Sequence, residues 1–204
     1  MKNAACLRFG WTTFSRHLGS LLAIGASVAS CLMIVHWGLR LTGESVLADA
    51  IEVVLSGLFM TGLFNACRRA ALGRTPQLTD ALAPFGQRPG HALAVSAVVS
   101  SGLLLSGIGV FITLFVFAFS LILVCEGESW MQALLHSKRL VVQNPGRVLG
   151  LLAALLVLNL LGALLLGVGL LVTAPISVLA TIGLRMELEA RSHTPGFMQL
   201  KLAR

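Results

Sequence analysis

Four blocks of apolar sequence almost free of charge dominate the chain: Gly19 to Leu39, Ser45 to Cys67, Ala92 to Cys125 and Val148 to Leu184. A helix rises about 1.5 Å per residue, so about 20 residues cross a hydrocarbon core of ~30 Å. No water is available there to satisfy the backbone, so such runs fold as helices cut to the thickness of the bilayer. The first two blocks fit one span each, at 19–39 and 45–67. The third has 34 residues and as one helix would reach about 51 Å, far too long for the core. It carries Ser106-Gly107-Ile108-Gly109 near its middle, and the fourth block carries Gly167-Val168-Gly169, so each reads as a hairpin of two short spans. The expectation is an all-α, polytopic membrane helix bundle of about six transmembrane helices, with spans at 19–39, 45–67, 92–106, 109–125, 148–166 and 169–185. A re-entrant hairpin is the alternative for each of the last two blocks.

Charge supports six crossings. With the N-terminus inside, segments 1–18, 68–91, 126–147 and 185–204 are cytoplasmic and hold 14 of the 15 basic residues, all but Arg40. Four spans would move Lys138, Arg139 and Arg147 outside and leave 11 inside, which the positive-inside rule disfavours. The chain then forms a single membrane domain, 1–204, with both termini cytoplasmic and a polar tail over 186–204. Residues 102–113, GLLLSGIGVFIT, also match 162–173, GALLLGVGLLVT, at six of twelve positions, three glycines among them. The last two hairpins therefore read as parallel structural repeats, with convergent hairpin-tip composition as the alternative.

Two or three short interfacial amphipathic helices complete the plan. Leu7, Trp11, Phe14 and Leu18 share one face of a helix over 1–18 that would lie in the headgroup layer. Ser129-x-x-Gln132 is a capping box opening a helix over 129–143, which Asn144-Pro145-Gly146 ends. A third helix is expected after Thr75-Pro76, with Thr75 as cap, Pro76 in first position and Leu78, Leu82 and Phe85 on its apolar side.

Composition narrows the function classes. Only 11% of residues are charged and 56% are hydrophobic, at a mean hydropathy of +0.90. The net charge of +7 flanks the spans instead of forming one stripe, which fits anionic headgroups and not nucleic acid. Cys6, Cys31, Cys67 and Cys125 form no CxxC pair and read as small apolar residues, so no metal or redox site is expected. The glycine pairs lack the third glycine and the acid of a dinucleotide fingerprint, and no cofactor is expected. Glu52 reads as an outer-edge carboxylate beside Asp49 and facing Arg40, and His36 as an interfacial residue next to Trp37. Arg8, Arg16, Arg68, Arg69, Lys138 and Arg139 are the candidate contacts to anionic lipid or a partner. Gly57, Thr61 and Asn65, spaced by four, are candidate packing positions, together with Gly107, Gly109, Asn159, Gly167 and Gly169.

GWTTFSRHL, CRRAALGRTPQLTDAL, FAFSLILVCEGESWMQALLHSKRLVVQN and LGALLLGVGLLVTAPISVLA together resemble a broad group of uncharacterised bacterial six-helix membrane proteins. That group is similar to the membrane domain attached to some bacterial glycerophosphodiester phosphodiesterases. The resemblance implies the bacterial cytoplasmic (inner) membrane and no activity, since the phosphodiesterase chemistry belongs to a separate soluble domain. Where the group often ends its final span in a Tyr-containing stretch, this chain has Ile182-Gly183-Leu184-Arg185. The expected function is a non-enzymatic membrane scaffold or partner-binding protein, its partners being membrane lipid, other membrane proteins or itself. The alternative is a transporter or channel for a small neutral or amphipathic solute. A lipid-modifying enzyme would need His36, Asp49 and Glu52 to meet in an outer cleft.

Overall fold

The computed structural model describes residues 3–41, 43, 46–87, 89–104, 115–164 and 168–192. Every regular element among them is an α-helix: α1 Asn3–Arg16, α2 Leu18–Leu41, α3 Val46–Ala71, α4 Leu78–Gln87, α5 Pro89–Leu104, α6 Ser120–Cys125, α7 Trp130–Gln143, α8 Pro145–Leu164 and α9 Val168–Ser192. Three helices are long and apolar enough to cross a membrane: Leu18–Leu41, Pro145–Leu164 and Gly169–Ala190 within α9. The chain is thus an all-helical protein with at least these three membrane-compatible helices.

The helix ends follow from local chemistry. Gly73 and Gly127 adopt φ of +74° and +100°. Arg74 and Glu128 then donate backbone N–H groups to Arg69 and Leu123, and Gly73 and Gly127 donate to Ala70 and Val124. Each is a Schellman cap, which satisfies the last carbonyls of α3 and α6 and needs a residue that tolerates positive φ. The Ser129 hydroxyl accepts from the Gln132 N–H at the start of α7. Pro145 opens α8, where its missing N–H would have had no partner.

Helix α9 is the centre of the bundle. In its apolar stretch 56% of residues are buried, against 22% in α2 and in α8. It is packed by α1, α2, α3 and α8. The two peripheral helices instead turn large apolar side chains outward: Met33, Ile34 and Trp37 on α2; Leu149, Leu156, Val157, Leu160 and Leu164 on α8. An apolar surface of that extent is stable against lipid, not water.

Four local expectations change. The stripe Leu7, Trp11, Phe14, Leu18 does not lie on one outward face. The buried face of α1 is Cys6, Gly10, Thr13 and Phe14, while Trp11 and Leu18 are exposed. Gly10 decides this: a Cβ there would sit 2.8 Å from the Ile176 carbonyl oxygen, so only glycine lets the α1 backbone meet α9 so closely. Next, α4 begins at Leu78, not Pro76, because Asp80 reaches back to accept from the Gln77 N–H at 2.8 Å. That is the reciprocal half of a capping box, with Gln77 as cap. Phe85 lies outside the residues whose side chains are described. The span expected over 109–125 is described only from 115, and there a turn at 117–119 interrupts the helix. Finally, α9 continues through Ser192, so residues 186–192 are helix and not free tail. The glycines at 107, 109 and 167, most of the first copy of the repeat at 102–113 and residues 165–167 of the second at 162–173 lie outside the described residues.

Candidate functional site

Three helix ends and one helix extension converge on a single layer of charge. The caps at Gly73 and Gly127 fix where α3 and α6 stop. Arg68 and Arg69 therefore occupy the last turn of α3, and Glu126 and Glu128 straddle Gly127. Arg68 and Arg69 oppose the negative end of their own helix dipole, which favours them there. The two turns that extend α9 past Arg185 carry Glu189, four residues from Arg185 on the same face, and Glu187 on another.

Arg185 is the hub, with its side chain only 7% exposed. Its Nε and Nη2 donate to Glu189 at 3.1 and 2.8 Å, and its Nη1 meets Glu126. Glu126 is also 3.5 Å from the Arg68 Nε. Arg68 in turn donates to the Cys125 carbonyl at 3.3 Å. His136 of α7 lies 2.9 Å from Glu128 and 3.8 Å from Glu189. A buried cation without partners costs several kcal/mol, and this one has two carboxylates in a planar fork. The network ties α3, the α6–α7 turn, α7 and α9 into one layer.

Two smaller clusters flank it. Arg147 binds Glu187 at 2.8 Å; Asn3 donates to the Arg147 carbonyl, and the Cys6 thiol points at Glu187 from 3.9 Å. Burial and the Glu187 carboxylate hold the Cys6 thiol above its ordinary value of 9.0. Asp80, nearly buried, receives Arg69 at 2.9 Å on one carboxylate oxygen and the Gln77 N–H on the other, while Asn65 donates to its carbonyl at 2.7 Å.

At the opposite end, α2 and α3 meet through His36 and Glu52, 2.9 Å apart, with Arg40 and Asp49 at 4.0 Å. The expected partnering is therefore exchanged: Glu52 faces His36, and Arg40 faces Asp49. Each acidic side chain among the described residues thus has a basic partner. By contrast Arg8, Arg16, Arg74, Lys138 and Arg139 are exposed and make no ion pair among the described residues. Of the six basic candidates, Arg68 and Arg69 are turned to the interior pairs above, and Arg8, Arg16, Lys138 and Arg139 point outward.

The packing candidates sit at close helix crossings where they are described. Gly57 lies against Ser96 of α5, and Gly162 of α8 lies against Gly169 and Thr173 of α9. Thr61 donates to the Gly57 carbonyl at 2.8 Å, and Cys125 points at the Thr61 carbonyl. Asn159 donates to Ser177 at 2.8 Å and to the Leu155 carbonyl at 2.9 Å, linking α8 to α9. Ser137 of α7 bridges the break at 117–119, accepting from the Phe119 N–H at 3.1 Å and donating to the Val116 carbonyl at 3.0 Å.

Sequence reasoning missed Arg185, Glu126, Glu187, Glu189 and Asp80 as partners. Only Gly127 between two glutamates, and the i, i+4 spacing of Arg185 and Glu189, were readable signs. Among the described residues no three His, Cys, Asp or Glu side chains converge as a metal set. In comparisons with protein-family models, curated proteins and solved structures, nothing matches the chain.

Proposed function

We propose that this chain is a six-span protein of the bacterial cytoplasmic membrane, with both termini inside, that works as a non-enzymatic scaffold binding lipid and other membrane proteins. One observation carries the reading: among the described residues the acidic side chains are engaged as internal staples, and the surplus positive charge is left on the outside. Groups engaged in this way hold helices together. A surface of unpaired cations beside exposed apolar residues is suited to holding the protein against an anionic layer. Six crossings are supported by the 26-residue length of α3, by the hairpin lengths of the third and fourth blocks, and by the basic residues flanking them.

The test is isolation from native membranes in mild detergent after chemical crosslinking. A defined membrane partner is expected to co-purify in constant ratio; a lone, partner-free chain would refute the scaffold reading. Tags placed near residues 107 and 167 are expected outside the cytoplasm, and cytoplasmic tags would refute six spans.

A second reading, a transporter of a small neutral or amphipathic solute, is favoured by the helix break at 117–119. Discontinuous helices line solute sites in many transporters. Here Ser137 occupies the broken segment, which favours the scaffold. Solute flux in proteoliposomes would reverse that preference.

A further inference from the structure

We infer that the outward face of α7 is a binding site for the anionic phospholipid headgroups of the cytoplasmic leaflet. This rests on the membrane reading above and deepens it by naming one helix, its orientation and its lipid class.

Helix α7 has three faces. Ala133, Leu134, Ser137, Leu140 and Val141 are buried against the rest of the protein. Gln132, Arg139 and Gln143 form a polar edge, all exposed. Between these runs a second stripe, Met131, Leu135, Lys138 and Val142, at spacings of four, three and four. Met131, Leu135 and Val142 are 49%, 60% and 64% exposed. A helix already buried along one face has no folding reason to carry a second apolar stripe in water.

At a lipid boundary each feature has a role. Met131, Leu135 and Val142 enter the acyl layer. Lys138 sits among them, where its four-carbon stem lies in apolar surroundings and its ammonium reaches up to a phosphate. Arg139, next along the polar edge, offers a planar fork suited to phosphate oxygens. Among the described residues nothing neutralises these two cations. The carboxylates at this end, Glu126, Glu128 and Glu189, are held by Arg68, Arg185 and His136. An acidic peptide would satisfy the cations but leave the apolar stripe unexplained. A second copy related by a two-fold axis would bring this positive face against itself.

The test places a reporter on the stripe. The full chain carrying Leu135→Trp, with Trp11, Trp37 and Trp130 changed to Phe, is reconstituted in nanodiscs. Fluorescence quenching by brominated phosphatidylglycerol and brominated phosphatidylcholine is then compared. Each cation near the surface favours anionic lipid about fivefold, so a preference of roughly thirtyfold is expected. Lys138→Gln with Arg139→Gln should abolish it, whereas Arg74→Gln, on the α3–α4 turn, should leave it intact. Helix content by circular dichroism checks that each variant is folded, and Lys138→Arg, which keeps the charge, should leave the preference intact. Equal quenching by both lipids, or an unchanged preference in the double variant, overturns the inference. So does absence of quenching together with crosslinking between α7 helices of two copies. A chain that stays in solution without entering nanodiscs refutes the membrane reading itself, a distinguishable outcome.

Discussion

Replacing Arg185 by Met tests whether the charged layer holds the bundle together. The side chain is 7% exposed and its fork is shared by Glu126 and Glu189, each 27% exposed. Removing one member of a buried ion pair costs about 3–5 kcal/mol, because the other charge is left uncompensated. Here Glu126 retains Arg68 at 3.5 Å and Glu189 retains His136 at 3.8 Å, and both carboxylates keep some solvent. The lower end, about 3 kcal/mol, is therefore expected. For a chain of this length that lowers the thermal midpoint by about 6–12 °C, read as loss of helix by circular dichroism in detergent. The triple change Arg185→Met, Glu126→Gln, Glu189→Gln removes Arg185 together with both its carboxylates and should recover part of the loss, since neutral replacement of a buried ion cluster is often close to neutral and Arg68, which loses Glu126, is 29% exposed. A midpoint for Arg185→Met within about 1 °C of the parent would refute the reasoning. So would a triple variant less stable than the single one.

Four further outcomes follow from the packing. Gly10→Leu should destabilise by about 1–3 kcal/mol and free α1 from α9, because its Cβ meets backbone atoms of Ile176 and Ala180. Cys6, buried and with its thiol held above 9.0, should resist maleimide at pH 8 in the parent and react readily in Gly10→Leu. Ser137→Ala should cost about 1–3 kcal/mol by leaving the Phe119 N–H and the Val116 carbonyl unpaired, visible as a lower thermal midpoint and faster amide exchange at Phe119. Asn159→Leu should cost about 0.6 kcal/mol and at most about 1.7, since hydrogen bonds between helices in membranes are modest; equilibrium unfolding in mixed micelles measures it.

The helical blocks were legible because membrane crossing depends on length and apolarity, both additive along the chain. The start of α7 was legible for the same local reason: Ser129 and Gln132 are three residues apart. The rotation of α1 was not. Hydrophobicity assigned Leu7, Trp11, Phe14 and Leu18 to one face, but the missing Cβ of Gly10 lets α9 approach and turns Phe14 inward while Trp11 stays out. The start of α4 was misplaced for a related reason, since Pro76 and Thr75 are good local signals that the Asp80 carboxylate overrides. The charged layer was least visible. Its members come from positions 68, 126, 136, 185 and 189, and nothing in the spacing of residues so far apart announces a shared oxygen. Reading basic residues only against the membrane also grouped Arg68 and Arg69 with Lys138 and Arg139, which three-dimensional pairing separates.

The docking of α1 on α9 sets an order of events. Cys6 and Glu187, which meet across this contact, are 181 residues apart. During synthesis α1 leaves the ribosome long before the surface it covers exists, and a 14-residue helix alone is marginal in water. Until α9 has been made, the face of α1 that carries Cys6, Gly10, Thr13 and Phe14 lacks the helix that covers it. Closure of the bundle is thus a late step that joins α1 to α9, and a ribosome stalled before residue 176 would leave α1 without its main docking surface.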